Sequence, residues 1–270
     1  MSVKKNPLIS VITTCYNGEA FLRKYFDVLL GQTYKHIELI FVNDGSTDKT
    51  KNIIKGYLSK LEREGIKAQI IHFTQNMGTS FAINEGLKHF SGKYLMFLDS
   101  DDIMYPNHIM EKIKFLENNK EYAWAVCLIN KTDKTKKLLG KLQIKHSAKT
   151  ENLFERFILC KDVYFTPIGF VYRSSCFLEA NPTRSLFISR VGPNWQILLP
   201  MAYKYNCAFI DKLLGDYIVR KNSSSHLERR INKKERYLGR KTVLLETIKR
   251  IKPANKQYYV KLIERRYDPK

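Results

Sequence analysis

Apolar residues in this chain gather into short runs separated by stretches of helical spacing. Leu8–Thr14, Ile37–Val42, Ala68–Phe73 and Tyr94–Leu98 are each brief, apolar or β-branched, and bounded by polar loops. The Tyr94–Leu98 run, short and without alternation, predicts a buried strand, and the other three read as strands beside it. Between them, Glu19–Leu30 carries Phe21, Leu22, Tyr25, Phe26 and Leu29 at helical intervals and stops at Gly31. Lys49–Glu64 before Gly65, Ser80–Phe90, and Asn107–Asn118 after Pro106 read as further helices. The alternation predicts βαβ crossovers, and so an α/β fold with a mostly parallel central sheet and helices on both faces.

Parallel strands met in sequence deliver their carboxyl ends to one rim, where open α/β sheets bind ligands. Residues 14–19, 43–48 and 99–102 occupy those ends, and all three stretches are small and polar. Asp99, Asp101 and Asp102 follow the Tyr94–Leu98 run directly. Neighbouring carboxylates repel, and a divalent cation relieves them. The cluster therefore points to a Mg²⁺ or Mn²⁺ site that also holds a diphosphate. The plainer reading is an acidic turn opening a helix. No GxGxxG follows the first strand and no GxxxxGK[ST] occurs, so a dinucleotide-binding Rossmann site and a P-loop are unsupported.

The second half is less regular. Tyr122–Asn130 predicts a strand, Lys131–Lys137 a charged hairpin or loop with a solvated face, and Asn152–Leu159 a short helix. Pro167–Tyr172 predicts a strand, with Gly169 allowing close backbone approach. Arg190–Pro193 leads into a helix over Trp195–Tyr205, with Pro200 placed to kink it, and Cys207–Ile210 reads as a short strand. Residues 226–270 then hold fifteen Lys or Arg against five Asp or Glu. Tyr237, Leu244, Leu245, Ile248 and Ile251, and the patch Tyr258–Ile263, stand among those cations. Basic amphipathic helices of this kind either lie on anionic lipid or pack on the domain with a solvated basic face.

The 270 residues suffice for one large domain with a small extension. The formal charge of +21 suits nucleic acid, an anionic membrane or a polyanionic substrate. Five widely spaced cysteines without a CxxC argue against a disulfide framework or zinc site, and for a reducing compartment. The first ten residues show no signal-peptide apolar region, and no apolar run approaches about 18 residues. The expectation is a cytoplasmic protein, free or peripheral on the inner face of the membrane.

Ordered motifs then give a resemblance. Thr14, Cys15, Tyr16 and Asn17 follow the first strand, and Gln32, Thr33 and Tyr34 come next. Asp44, Gly45, Ser46 and Asp48 form an Asp-Gly-Ser-x-Asp loop. Asn76, Gly78, Ala82, Ile83, Asn84 and Gly86 follow, and then the DxD pair Asp99 and Asp101. Over residues 8 to 225, most strongly in the first 110, the chain resembles the inverting family 2 glycosyltransferases of GT-A (nucleotide-diphospho-sugar transferase) fold. Some of these build bacterial cell-surface polysaccharide. The resemblance implies a GT-A domain over 1–225, with a nucleotide-sugar half to about 110 and an acceptor half from 111, and a basic helical extension over 226–270.

It also implies roles. Thr14, Tyr16 and Glu19 would line the base and ribose pocket, with Asp44 accepting a hydrogen bond from the base. Asn76 and Gly78 would join that pocket, and Asp99 would hold the ribose. Asp101 would bind the Mg²⁺ or Mn²⁺ bridging the phosphates, with His226 as a further metal ligand and Arg220 closing over the nucleotide. The donor would be a UDP-sugar first, and the acceptor a saccharide or lipid-linked saccharide. An anionic membrane surface would meet residues 226–270, and no specific nucleic acid is expected. Two departures stand out. Ile83 replaces a frequent Arg, and Pro193-Asn194 stands where the family carries Glu-Asp, whose Asp is the catalytic base. An Asn cannot take a proton, so Asp102, Asp211 or Asp216 becomes the alternative base, while Asn194, Trp195 and Gln196 would face the acceptor. A catalytically impaired homologue, or a polyanion-binding protein using its basic surface, is the competing reading.

Overall fold

The computed structural model describes residues 6–144, 152–220 and 232–268. In chain order it holds β1 (Ile9–Cys15), α1 (Leu22–Leu30), β2 (Ile37–Asn43), α2 (Thr50–Arg63), β3 (Lys67–His72), α3 (Thr79–Leu87), β4 (Tyr94–Phe97), β5 (Ile103–Met104) and α4 (His108–Asn118). The second half continues with β6 (Trp124–Asp133), β7 (Leu138–Leu142), α5 (Leu153–Leu159), a 3₁₀ turn over Pro167–Gly169, β8 (Phe170–Arg173), α6 (Ser174–Ala180), α7 (Pro193–Lys204), β9 (Cys207–Val219), α8 (Lys233–Ile251) and α9 (Lys256–Tyr267).

The strands form one sheet in the order β3-β2-β1-β4-β8-β6-β9-β5, with β7 paired to β6. β3, β2, β1 and β4 are mutually parallel, and every residue of β2 is buried. Beyond β4 the sheet is mixed. β8 runs antiparallel to both β4 and β6, β9 runs parallel to β6, and β5 pairs antiparallel with β9. The expected parallel sheet therefore holds for the first half alone.

Three elements correct the sequence expectations. β9 spans thirteen residues, where only Cys207–Ile210 read as strand. Its pairing with β6 shifts register around Cys127–Asn130, which carries the polar Asp211 and Lys212 outward. Pro167–Gly169 is a helical turn, and the strand begins only at Phe170. The third correction concerns the basic C-terminal helices. Leu244, Ile248 and Ile263 are fully buried in the same hydrophobic core as the sheet. Tyr259 stands edge-on to Phe154 at 4.9 Å between ring centres, and Tyr267 donates to the Ile158 carbonyl at 2.8 Å. Most of the apolar surface of α8 and α9 therefore packs on the domain, while Leu238 at 59% and Tyr258 at 51% stay exposed.

α4 buries His108 and Lys112 completely, one turn apart. Lys112 Nζ donates to the carbonyls of Ile168 at 2.5 Å and Phe170 at 3.3 Å, which fixes the 3₁₀ turn against the helix. Burial pushes the Lys112 pKa down from 10.5 to about 8. Below about 8 the amine is charged in both the folded and unfolded chain, so it adds no pH dependence. Between 8 and 10.5 the unfolded chain binds a proton that the fold releases, so this group makes stability rise with pH. Lys112→Met is expected to remove that rise. Denaturant titrations at a series of pH values should show the wild type gaining roughly 2 kcal/mol on the variant between about pH 8 and 10. A gap independent of pH refutes the assignment.

Candidate functional site

The loops after β1 and β2 are sewn to each other. The Asp44 amide donates to the Cys15 carbonyl at 2.9 Å. Asn17, in left-handed conformation at φ 51°, donates its N–H to Ser46 Oγ at 2.9 Å and accepts from the Thr47 N–H at 2.9 Å. The Glu19 N–H meets Asp48 Oδ2 at 2.9 Å, and the Lys49 N–H meets Glu19 Oε2 at 3.2 Å. Burial alone would raise Asp48, but its donors on Thr50 and Glu19 outweigh that and hold its pKa low. Asp48 is thus a strut between loops, and its Oδ1 also accepts from the Thr50 N–H at 3.0 Å at the start of α2. Tyr16 is 48% exposed on this rim.

Asp44 is buried, and its carboxylate gathers the loop after β3. Oδ1 accepts from the Met77 N–H at 2.7 Å, while Oδ2 accepts from the Gly78 N–H at 2.9 Å and from Asn76 Nδ2 at 3.0 Å. An ionised carboxylate offers about four acceptor positions, so one remains for a ligand donor. The close approach depends on Gly45, at φ 68°, because a side chain there would point into the backbone of Gln75 and Asn76. Asn76, Gly78 and Asp44 therefore meet as the motif reading expects.

The acidic cluster lies at the end of β4. Asp99 and Asp101 are partly exposed and Asp102 is buried. Burial first, and then the charge of Asp101, push Asp99 up to about 7, with Arg220 pulling the other way. The same two effects, with Asp99 added, raise Asp102 well above the carboxylate range. Arg220, the residue after β9, donates Nε to Asp101 Oδ2 at 2.5 Å and lies flat over the Phe21 ring, 4.1 Å from its centre. Asp102 Oδ1 accepts from the Ile218 N–H at 3.2 Å, and its Oδ2 accepts from Thr166 Oγ1 at 3.3 Å.

The acceptor-side residues divide. Asn194, in the first turn of α7, donates Nδ2 to the Phe165 carbonyl at 2.9 Å. Phe165 precedes Thr166, so one dipeptide ties Asn194 to Asp102. Trp195 and Gln196 do not face an acceptor. Trp195 is 6% exposed, its indole N–H donates to Phe157 O at 2.9 Å, and its ring packs edge-on to Phe165. Gln196 is 3% exposed and spends both ends of its amide on the backbone of Phe187. Helical spacing put both on the core face of α7. Asp211 is exposed and nine residues before Arg220 along β9, up to roughly 30 Å from the acidic cluster at strand rise. Asp216 is occupied by Tyr105 Oη at 2.7 Å and Asn130 Nδ2 at 3.2 Å. His226 lies outside the described residues.

Arg190 is a rim residue that the sequence reading did not single out. Its guanidinium donates to Asn76 Oδ1 at 2.7 Å and packs over Gly78. Ile83, in the place of the frequent Arg, is buried in the core. The missing cation at position 83 was the available signal that another arginine had to reach this loop. Ser80 Oγ on Ser189 O at 2.8 Å, and Asn84 on both backbone groups of Leu186, hold the arginine's segment along α3.

The residues present fit a divalent cation. Asp99 and Asp101 offer hard carboxylate oxygens, the donors Mg²⁺ and Mn²⁺ take. Among the described residues no three His, Cys, Asp or Glu side chains gather to hold an ion by themselves. A cation shared between one or two carboxylates and a bound diphosphate needs no such cage. The raised Asp99 is the electrostatic mark of a site that a cation would relieve.

Comparison with known proteins agrees with this geometry. The model of the family described as Glycosyl transferase family 2 matches residues 10–179, more than half of the chain. A protein named uncharacterized glycosyltransferase from Rickettsia typhi is 40% identical over 118 residues, 43% of this chain and 35% of its own. Another from Haemophilus influenzae is 39% identical over 113 residues, 42% of this chain and 34% of its own. The chain thus spans about a third of the length of these relatives. Among solved structures, Staphylococcus aureus TarS 1-349 in complex with UDP-GlcNAc superposes with a TM-score of 0.71 at 18% identity, covering 95% of this chain and 70% of TarS. The mannosyltransferase PcManGT of Pyrobaculum calidifontis, in complex with GDP-Man and Mn²⁺, gives 0.64 at 12% identity, covering 97% and 74%. Those likenesses establish the GT-A fold. With the Asp-Gly-Ser loop, the Asn76–Gly78 turn and the DxD pair gathered on one rim, and the family model running through all of them, the chain belongs to glycosyl transferase family 2.

Proposed function

We propose that this protein transfers a sugar, with inversion, from a nucleoside-diphosphate sugar to a saccharide or lipid-linked saccharide, assisted by Mg²⁺ or Mn²⁺. The observation that carries the reading is the convergence of three strand-end loops on one rim, with Asp44 at one end and the acidic cluster at the other. Thr14, Tyr16 and Glu19 border the base and ribose, and the remaining acceptor position of Asp44 takes a base N–H. The imide N–H of uracil can donate to that acceptor, as can thymine's imide and guanine's N1–H, and the choice of a UDP-sugar is supported by TarS, of the same fold, in complex with UDP-GlcNAc. Asp99 faces the ribose, and Arg220 passes from Asp101 to the diphosphate as the site fills. Asp99 and Asp101 would hold the cation, which supplies Lewis-acid stabilisation of the departing diphosphate.

The acceptor hydroxyl must lose its proton as it attacks the anomeric carbon. Asn194 orients that hydroxyl through its free Oδ1, since its Nδ2 is committed to Phe165. Asp102, tied to Asn194 through Thr166, receives the proton. Burial, Asp101 and Asp99 favour its neutral form, so it serves as base only in the ionised state, which a cation held on Asp101 would favour.

Calorimetric titration with UDP, GDP and dTDP in Mn²⁺ tests the donor half. The wild type is expected to bind UDP most tightly. Asp44→Ala should weaken UDP at least about tenfold, losing a charge-assisted hydrogen bond and freeing the 76–78 loop. Failure to bind any of the three nucleotides ends the proposal. Binding without transfer to any acceptor would identify a catalytically impaired homologue.

A further inference from the structure

The β6–β7 hairpin carries chemistry that the donor site leaves unused. Residues 131–141 read KTDKTKKLLGK, five lysines against one aspartate. Lys134, Lys136, Lys137 and Lys141 are exposed, and among the described residues none of the four forms an ion pair. Beside them stand two large apolar side chains in water, Leu138 at 60% and Leu139 at 47% exposure. The turn is built, since Asp133 Oδ1 accepts from the Thr135 N–H at 2.8 Å, Thr135 Oγ1 at 2.7 Å and the Lys137 N–H at 3.0 Å. Among the described residues β7 pairs with β6 alone.

The hairpin also stands beside the rim. Thr132 and Asp133 pair with Ile218 and Val219, and Arg220 follows directly after β9. Lys136 reaches back to line a cleft with Lys24, Met104, Tyr105 and Asp216.

We infer that the β6–β7 hairpin is a membrane-contact element that docks the catalytic rim on an anionic lipid surface, with Leu138 and Leu139 entering the acyl boundary and the surrounding lysines meeting lipid phosphates. Charge complementarity selects this occupant. A second copy would set five more lysines against these five, and lysines on a strand oppose strand-to-strand association. Single-stranded nucleic acid is bound through aromatic platforms, and the hairpin has none. Adjacent leucines ringed by lysines match a bilayer interface, where the amine heads stay with the phosphates while their stems lie on hydrocarbon. α8 and α9 are weaker rivals, because Leu244, Ile248 and Ile263 are buried and each helix exposes a single large apolar side chain, Leu238 and Tyr258, where the hairpin exposes an adjacent pair. The inference does not depend on the donor reading, though it gives a lipid-linked acceptor a short path to the rim.

Flotation of the full chain with vesicles of phosphatidylcholine, with and without 30% phosphatidylglycerol, tests it at about 0.1 M salt, where charge is only partly screened. The wild type should bind the anionic vesicles and lose them at high salt. Replacing Lys134, Lys136 and Lys137 with Gln should weaken binding by about 100-fold, at about fivefold per lysine near the surface. The double variant Leu138→Ser/Leu139→Ser should weaken it at least about tenfold at unchanged charge. Lys249→Gln/Lys256→Gln/Lys261→Gln on α8 and α9 should change it less than about fivefold. The melting temperature, compared across variants, separates loss of contact from loss of fold. Hairpin variants that float like wild type overturn the inference, as does dependence on the α8–α9 lysines instead. It is equally overturned if the leucine pair changes only the oligomeric state, or the lysines only the binding of single-stranded RNA.

Discussion

Asp101→Asn and Asp102→Asn should fail in different ways although the residues are adjacent. Asp101 is the partly exposed carboxylate paired with Arg220, and under the proposed function it would share a cation with the diphosphate. Asp101→Asn is expected to lower sugar transfer by about 10³-fold or more, since the Lewis-acid contribution is worth several kcal/mol. It should also abolish the gain in UDP affinity that Mn²⁺ provides. Asp102 is buried and joined to Ile218, Thr166 and, through Phe165, Asn194. Asp102→Asn should keep Mn²⁺-dependent UDP binding within a few-fold while transfer falls about 10²–10⁴-fold, the usual worth of a general base. Titration calorimetry beside a single-turnover assay separates the two. Equal loss of donor binding in both variants would remove Asp102 from proton transfer and return it to a scaffold role.

Gly45→Ala should be as damaging without touching a charged group. Position 45 has φ 68°, and an added Cβ would lie 2.1 Å from the carbonyl carbon of Gln75 and 2.5 Å from the nitrogen of Asn76. Those atoms are backbone, so no rotamer relieves the overlap. The left-handed conformation and the forced movement together cost about 3 kcal/mol or more. The segment pushed away is the one Asp44 collects, so UDP affinity should fall with stability. Denaturant midpoints and UDP titration of Gly45→Ala measure both. A variant with unchanged midpoint and affinity would show that the Asp44–Gly78 cradle is dispensable.

The strands that proved easy to read are those whose burial is complete. β4 reads Tyr-Leu-Met-Phe, and in β1 and β2 the apolar positions outnumber the polar Ser10, Thr13, Thr14, Glu38 and Asn43, so composition marks all three. β9 was read at a third of its length because Asp211, Lys212, Gly215 and Asp216 interrupt the run. Those residues fit a strand only because a register shift and a partner edge accommodate them, and neither is visible in one sequence. Site residues divide the same way. Asp44 and the Asn76–Gly78 turn were legible because they stand in ordered motifs that resemble the family's, and in the fold Gly45 and Gly78 both take positive φ. Trp195 and Gln196 were misplaced because both types serve sugars and cores alike, and only the surrounding Phe157, Phe165 and Phe187 decide between those fates. Arg190 escaped because its partners stand more than a hundred positions away in sequence.

The lacing of residues 186–190 along α3 bears on how this chain can be cut and recombined. Asn84 completes its amide hydrogen bonds on Leu186, Ser80 donates to Ser189, and Asn76 receives Arg190. The amino-terminal half therefore carries polar groups whose partners are all supplied from the other half. It is not an interchangeable cartridge. A chimera that exchanges carboxyl-terminal halves between family members must move α3 and the 186–190 segment as one matched pair, or it inherits a 76–78 loop without its Arg190 contact.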